Sequence, residues 1–155
     1  MAISSFSNSQ ISCTPSEVRT EIIINSTPHR IWEILTDTKN YSSWNPYIFE
    51  IKGDIIPGKF VKFRMKRTPK ERKFSAKILD FKNDTSWAWG GGLLFFFKAR
   101  HYFLLEQIDN DHTRLIQGEY WRGLFGNSYG KGVYKDACEN FQKMNKKLKE
   151  LAEHK

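Results

Sequence analysis

The stretch VYKDACENFQKMNKKLKELAE, residues 133–153, predicts a long C-terminal helix with one apolar face. Its apolar side chains recur at the spacing of one side of an α-helix, namely Ala137, Phe141, Met144, Leu148 and Leu151. An apolar helix stripe must be buried against another layer of structure. We therefore expect the stripe to face a sheet and the intervening lysines to face solvent, these being Lys143, Lys146 and Lys147.

The region before this helix predicts a series of antiparallel strands. Short β-rich runs alternate with turn signals such as Pro57-Gly58. The runs predict six strands, at residues 47–52, 59–67, 73–81, 85–90, 98–108 and 112–122. A further strand is predicted at residues 17–25, followed by two short helices within residues 27–46. This order predicts an α+β fold in which a curved seven-stranded antiparallel sheet is wrapped around the long C-terminal helix.

Length and composition indicate one domain. The chain has 155 residues, of which 39% are hydrophobic, enough for a single substantial core. Its longest largely apolar run, residues 87–97, is too short to cross a bilayer as a helix. Residues 1–16 are rich in Ser and Asn and lack the pattern of a secretory signal. We expect a flexible N-terminal arm over residues 1–16 and a folded domain over residues 17–155.

The cysteine and histidine pattern predicts no metal site. Cys13 and Cys138 are far apart in the sequence and belong to no Cys-x-x-Cys motif. We expect two reduced thiols, as in a cytoplasmic protein, rather than a disulfide or a zinc site. Three histidines are predicted at exposed turns or element ends and are isolated from one another, namely His29, His112 and His154. No cofactor is expected.

Basic residues are concentrated in one segment. Residues 59–77 hold nine Lys and Arg against one acid, Glu71, and the rest of the chain is neutral although the whole carries a net charge of +8. The segment is either a solvated outer face or a surface that attracts an anionic membrane or another polyanion. We expect Lys62, Arg64 and Lys66 to project from the convex side of the sheet, and we expect no specific nucleic-acid partner.

Two early segments carry a resemblance to a known family. EIIINSTPHRIWEILTD, residues 21–37, and YSSWNPY, residues 41–47, resemble the polyketide cyclase/dehydrase and lipid transport family of the START-like (SRPBCC) superfamily. ARHYFLLE, residues 99–106, and FQKMNKKLK, residues 141–149, are also similar to it. The resemblance implies a helix-grip fold over residues 17–155, with an apolar cavity between the sheet and the C-terminal helix. Members commonly bind lipids, sterols, polyketides, plant hormones or other hydrophobic molecules, and a minority are enzymes.

Strand alternation predicts which side chains face that cavity. For any single aromatic residue among them a place in the core is favoured over ligand contact, and their number suggests a narrow cavity. The candidate ligand-binding residues are Phe63, Met65, Phe74, Trp87, Trp89, His101, Phe103, Gln117, Glu119, Trp121, Phe141 and Met144. The predicted ligand is a small hydrophobic molecule of the lipid, polyketide or terpenoid class.

His101 and Glu119 are the most informative polar residues of this set. If residues 109–111 form the hairpin loop, His101 lies directly opposite Glu119, and Phe103 lies opposite Gln117. The first pair could be a buried structural contact, a polar anchor for a ligand, or an acid/base pair of a cyclase, dehydratase or isomerase. The sequence shows no dedicated nucleophile, which favours binding over catalysis.

Two glycine-rich segments are predicted to be irregular. GNSYGKG, residues 126–132, lies between a strand and a helix but lacks the spacing and the Ser or Thr of a phosphate-binding loop. We expect it to be part of a mobile entrance loop over residues 123–132. Gly90-Gly91-Gly92 is expected to be a turn.

Overall fold

A computed structural model describes residues 9–67 and 69–154, which form the predicted α+β fold. One antiparallel sheet has the strand order β1-β2-β8-β7-β6-β5-β4-β3. The strands are β1 Ser9–Thr14, β2 Glu17–Ile24, β3 Ile48–Lys52, β4 Phe60–Arg67, β5 Lys70–Lys82, β6 Ser86–Leu93, β7 Phe97–Gln107 and β8 Thr113–Arg122. The helices are α1 Pro28–Thr36, α2 Tyr41–Trp44 and α3 Gly126–Glu153, with a 3₁₀ turn at Thr38–Asn40. None of the helices in these residues combines the length and apolar character needed to cross a membrane.

The first helix begins where the sequence predicts. Thr27 caps it, since its side-chain oxygen accepts a hydrogen bond from the Arg30 backbone N–H at 3.3 Å, and Pro28 occupies the first helical position. Its apolar face is buried. Because α1 packs on α3, it closes one end of the space between the sheet and α3.

Helix α3 buries the predicted apolar stripe over most of its length. Ala137, Phe141, Met144 and Leu148 are fully buried, and the helix packs across β2 and β8. The predicted solvent-facing lysines are exposed. The expectation for the last turn is wrong, because Leu151 is 36% exposed and Ala152 is buried in its place.

The start of α3 differs from the prediction. The helix begins at Gly126, so residues 126–132 form its first two turns and are neither a loop nor a phosphate-binding site. A Cβ atom at Gly130 would lie 1.6 Å from the Pro15 carbonyl oxygen, so only glycine lets the helix backbone approach the β1–β2 turn this closely. Close packing therefore outweighs the low helix propensity of glycine here.

The triple glycine is likewise part of an element. Strand β6 continues to Leu93, and Gly90, Gly91 and Gly92 pair with β7. At Gly90 a Cβ atom would lie 2.4 Å from the Ala99 carbonyl oxygen. Gly90 and Gly92 therefore serve a close approach between two strands, whereas a Cβ atom at Gly91 would meet no heavy atom within 4 Å.

An eighth strand replaces part of the expected N-terminal arm. Ser9–Thr14 forms β1, which pairs with β2 at the edge of the sheet, so the expectation of a seven-stranded sheet and of an arm through residue 16 is wrong for these residues. Residues 1–8 lie outside the described part of the chain.

The expectation of two reduced thiols is also wrong, because Cys13 of β1 is disulfide-bonded to Cys138 of α3. Their Cα atoms are 6.0 Å apart, although the two residues are separated by 125 positions in sequence. A long sequence separation says nothing about distance in the fold. Strand β1 packs against α3 and brings the two together.

We expect the disulfide to make a large contribution to stability, because it closes a loop of 125 residues in the unfolded chain. Replacing both cysteines by serine should lower the free energy of unfolding by about 2–5 kcal/mol. The measurement is denaturant unfolding of the oxidised wild type, the reduced wild type and the double variant. The last two should agree, and equal midpoints for all three would contradict the expectation.

We expect Phe141 to be a core residue whose loss leaves a void. Its ring contacts Tyr47 at 5.7 Å and His101 at 4.9 Å between ring centroids, and it is fully buried. Phe141→Ala should therefore lower the free energy of unfolding by about 3–5 kcal/mol. Lys146→Ala, on the exposed face of the same helix, is the control and should change it by less than about 0.5 kcal/mol. Equal effects of the two substitutions would show that the Phe141 site is not packed as described.

Candidate functional site

A cavity of about 710 Å³ lies between the concave face of the sheet and the first half of α3. Its volume is within the range of small-molecule sites. The strands contribute most of its wall, and the first turns of α3 contribute the rest. The lining residues are Met65, Arg72, Lys73, Phe74, Ser75, Ala76, Trp89, Gly90, Gly91, Gly92, Leu93, Phe97, Ala99, His101, Glu119, Tyr129, Gly132, Val133 and Asp136.

Aromatic and aliphatic side chains form much of the cavity wall. Met65, Trp89, Phe97 and Val133 come from four different elements and give the cavity its apolar surface. The Trp89 indole stacks on the His101 imidazole with 4.3 Å between ring centroids and 7° between ring planes. This stacking restrains the imidazole, which is only 3% exposed.

The predicted register of β7 and β8 is confirmed. His101 pairs with Glu119 and Phe103 pairs with Gln117 across the two strands. His101 Nδ1 lies 3.9 Å from Glu119 Oε2. The side-chain amide nitrogen of Gln117 lies 3.2 Å from His101 Nε2. Because an amide NH₂ can only donate, Nε2 accepts, and the proton of a neutral imidazole is on Nδ1, the nitrogen that faces Glu119.

Asp136 adds a second carboxylate to the cavity from the α3 side. Its Oδ2 atom is buried and has no hydrogen-bond partner among the described residues. A buried acceptor without a donor is costly, so this oxygen is suited to accept a hydrogen bond from a ligand hydroxyl or amine. Arg72 supplies positive charge to the same cavity from β5, where it pairs with Met65, whereas its neighbour Lys73 pairs with Arg64 on the opposite face of the sheet.

The structure divides the predicted ligand-binding residues into two groups. Met65, Phe74, Trp89, His101 and Glu119 line the cavity. The others do not line it and are buried in the adjoining core, namely Phe63, Trp87, Phe103, Gln117, Trp121, Phe141 and Met144.

Aromatic packing explains this division. Trp89 is 4.9 Å from Phe63 and 5.0 Å from Trp87 between ring centroids, so these rings fill the space beside the cavity. Strand alternation predicts the face on which a side chain lies, but it does not predict where that face is filled and where it is hollow.

Sequence reasoning missed the cavity residues on α3. Tyr129, Gly132, Val133 and Asp136 follow helical spacing, which a helix beginning at Gly126 would have predicted. It also missed Arg72, although Arg72 continues the alternation of Phe74, Ala76 and Ile78 along β5. The predicted strand began at residue 73, whereas β5 begins at Lys70.

The basic strip defined by Lys62, Arg64 and Lys66 has the predicted alternation. Lys62 and Lys66 are exposed, while their neighbours Val61, Phe63 and Met65 are buried. Arg64 is less available than expected. Its Nη2 atom lies 3.0 Å from Glu71 Oε2 and its Nη1 atom lies 3.9 Å from Glu50 Oε2.

The histidines and acids do not assemble into a metal site in the part of the chain that the structure describes, where no three His, Cys, Asp or Glu side chains come close enough to hold an ion. His29 lies near Asp84 and Glu33, and His112 lies near Asp109. His154 follows the last residue of α3.

The sequence matches a known protein family, and the fold matches several solved structures. Residues 15–154 match the family described as polyketide cyclase/dehydrase and lipid transport. No curated protein matches the sequence. A START superfamily protein from Mycobacterium smegmatis is similar in structure with a TM-score of 0.68 and 16% identity, over 89% of this chain and 97% of that one.

Two further solved structures have the same fold. A protein from Rhodobacter sphaeroides has a TM-score of 0.70 and 11% identity, over 92% of this chain and 96% of that one. A protein from Chromobacterium violaceum has a TM-score of 0.70 and 13% identity, over 91% of this chain and all of that one. At these identities the likeness shows the fold alone.

Proposed function

Because the chain belongs to the polyketide cyclase/dehydrase and lipid transport family, we propose that it binds a small hydrophobic molecule of the lipid, polyketide or terpenoid class in the cavity between the sheet and α3. The observation that carries the proposal is the cavity itself, whose 710 Å³ are bordered by apolar side chains and a few convergent polar groups. This combination is typical of small-molecule sites.

The polar groups would supply affinity and orientation. Burial of about 300 Å² of apolar ligand surface gives a gross gain of about 7.5 kcal/mol. Loss of ligand freedom subtracts several kcal/mol, so apolar contact alone predicts weak binding. His101, Glu119 and Asp136 are the groups that could add directional hydrogen bonds to a ligand hydroxyl, carbonyl or amine.

The alternative is an enzyme of the cyclase, dehydratase or isomerase type that uses His101 and Glu119 for proton transfer. The imidazole is buried and faces a carboxylate, which suits an acid/base pair. Both cysteines are disulfide-bonded and the Ser75 hydroxyl donates to the Val61 carbonyl. We favour binding without chemistry because the sequence shows no dedicated nucleophile beside the pair.

Contact between the basic strip and a polyanion is a further proposal. Lys62 and Lys66 are exposed and support it, whereas Arg64 is engaged by two glutamates. A cytoplasmic location stays a prediction, and the disulfide removes the argument from free thiols that favoured it.

Substitution of a large side chain into the cavity wall tests whether the cavity is the binding site. Val133 lines the cavity from α3, so a Trp side chain at this position should occupy the space that a ligand needs. Val133→Trp should lower the affinity for the neutral fluorescent probe N-phenyl-1-naphthylamine by about tenfold or more, because each CH₂ group of the probe that is no longer buried loses about 0.8 kcal/mol. Glu139→Trp places the same side chain on the exposed face of α3 and should leave probe binding unchanged. If a folded Val133→Trp protein binds the probe like wild type, the cavity is not the binding site.

A second experiment separates anchoring from catalysis. Native mass spectrometry of wild type purified from its own host should show a copurified hydrophobic molecule. Glu119→Gln and His101→Gln should weaken its retention by roughly tenfold or more, because a hydrogen bond involving a charged group contributes about 1.5–3 kcal/mol. If both variants retain the molecule but only wild type converts it chemically, the enzyme alternative would be supported instead.

A further inference from the structure

Two connections at one end of the sheet expose an unusual number of large apolar side chains. The β6–β7 turn and the β8–α3 connection together form a surface that we name the apolar tip. Phe95 is 79% exposed and Leu124 is 74% exposed. The apolar tip consists of Leu93, Leu94, Phe95, Phe96, Leu124, Phe125 and Tyr129.

The apolar tip is held together by backbone hydrogen bonds. The Leu124 N–H donates to the Phe95 carbonyl at 3.0 Å, and the Phe125 N–H donates to the Phe96 carbonyl at 2.8 Å. The Phe96 and Phe125 rings are stacked with 6.2 Å between centroids. Gly123 has a φ of 92°, and a Cβ atom there would lie 2.6 Å from the Phe95 carbonyl oxygen. The two connections thus present one continuous surface, with glycine at the position that their contact requires.

The sequence segments that form the apolar tip carry basic residues and no acidic ones. Residues 85–105 and 120–135, which contain the two connections, include no Asp or Glu. They include five basic residues, namely Lys98, Arg100, Arg122, Lys131 and Lys135. Lys98, Lys131 and Lys135 are exposed, and Arg122 has Glu17 at 3.7 Å. The apolar surface therefore has a positively charged rim.

We propose that the apolar tip docks on an anionic lipid bilayer. Exposed Phe and Leu side chains gain free energy by entering the interfacial region of a bilayer, and each Lys or Arg near an anionic surface adds about 1 kcal/mol. A second copy of the chain fits less well, because a symmetric contact between two apolar tips would bring one cationic rim against another. An anionic lipid surface complements both the apolar tip and its cationic rim.

The apolar tip adjoins the mouth of the cavity. Leu93 and Tyr129 belong to both, and Gly91, Gly92 and Phe97 line the cavity beside them. This second step rests on the proposed function: a hydrophobic ligand bound in the cavity could pass to or from the docked bilayer with little exposure to water.

The test is flotation with vesicles of phosphatidylcholine alone and of phosphatidylcholine mixed with phosphatidylserine. Wild type should bind the mixed vesicles more tightly, and high salt should weaken that binding. Phe95→Ser combined with Leu124→Ser should lower the affinity by about tenfold or more, because a buried Leu or Phe side chain is worth about 1.5–3 kcal/mol. Ile56→Ser is the control: Ile56 is 50% exposed but lies between β3 and β4, outside both the apolar tip and the basic strip, and its loss should have no effect.

A labelling experiment locates the contact. Both native cysteines are disulfide-bonded, so Phe95→Cys introduces a single free thiol for an environment-sensitive dye. Its emission should shift to the blue on mixed vesicles, whereas dye at Ile56→Cys should not shift. Undiminished vesicle binding by the double serine variant, no vesicle binding by wild type, or a dimer of wild type that the double variant loses would each overturn the proposal.

The outcomes are separable from those of the proposed function. Phe95 and Leu124 do not line the cavity, so the double serine variant should bind N-phenyl-1-naphthylamine like wild type. Val133→Trp should in turn bind vesicles like wild type. A variant that loses vesicle binding but keeps probe binding is therefore impaired at the apolar tip alone. A variant that loses probe binding but keeps vesicle binding is impaired at the cavity alone.

Discussion

Phe141, Met144 and Leu148 are completely shielded from water where α3 crosses the concave face of the sheet, and the rest of the molecule is arranged around this contact. These large side chains occupy the second half of the helix. They meet the aromatic residues of the central strands, which pack ring against ring and fill that part of the interior. Burial of this apolar helix face therefore requires the sheet to curve around α3. It also determines which end of the molecule has a fully packed interior.

The cavity lies at the opposite end, beside the first half of α3, where one of the helix positions that line it is a glycine, Gly132. Gly126, Gly130 and Gly132 occupy its first two turns, and a Cβ atom at Gly132 would meet no heavy atom within 4 Å. At Gly132 the helix therefore leaves space beside the sheet. Gly130 instead allows close contact with the β1–β2 turn, and Gly126 allows close contact with Trp121. A solid core and an open cavity are thus two halves of one helix–sheet interface.

Local sequence patterns predicted the features that depend on neighbours in the chain. The His101–Glu119 register follows from one short turn, and the burial of Phe141 follows from helical spacing. Features that depend on distant contacts were not predicted. The glycines of residues 126–132 suggest a loop until their contact with Pro15 is known, and the partner of Cys13 follows only from the pairing of β1. The place of the cavity belongs to this second class, because it depends on how several elements fill their shared space.

The position of the disulfide has a consequence for association between molecules. Strand β1 covers the outer edge of β2 along six residue pairs, and Cys138 holds this cover in place from the helix. Strand β1 is itself an edge strand, so its outer backbone groups are open to pairing with another molecule. If β1 detached, the edge would instead be β2, which is eight residues long rather than six and ends in Ile22, Ile23 and Ile24. The oxidation state of one pair of sulfur atoms thus determines which strand the sheet presents to other molecules.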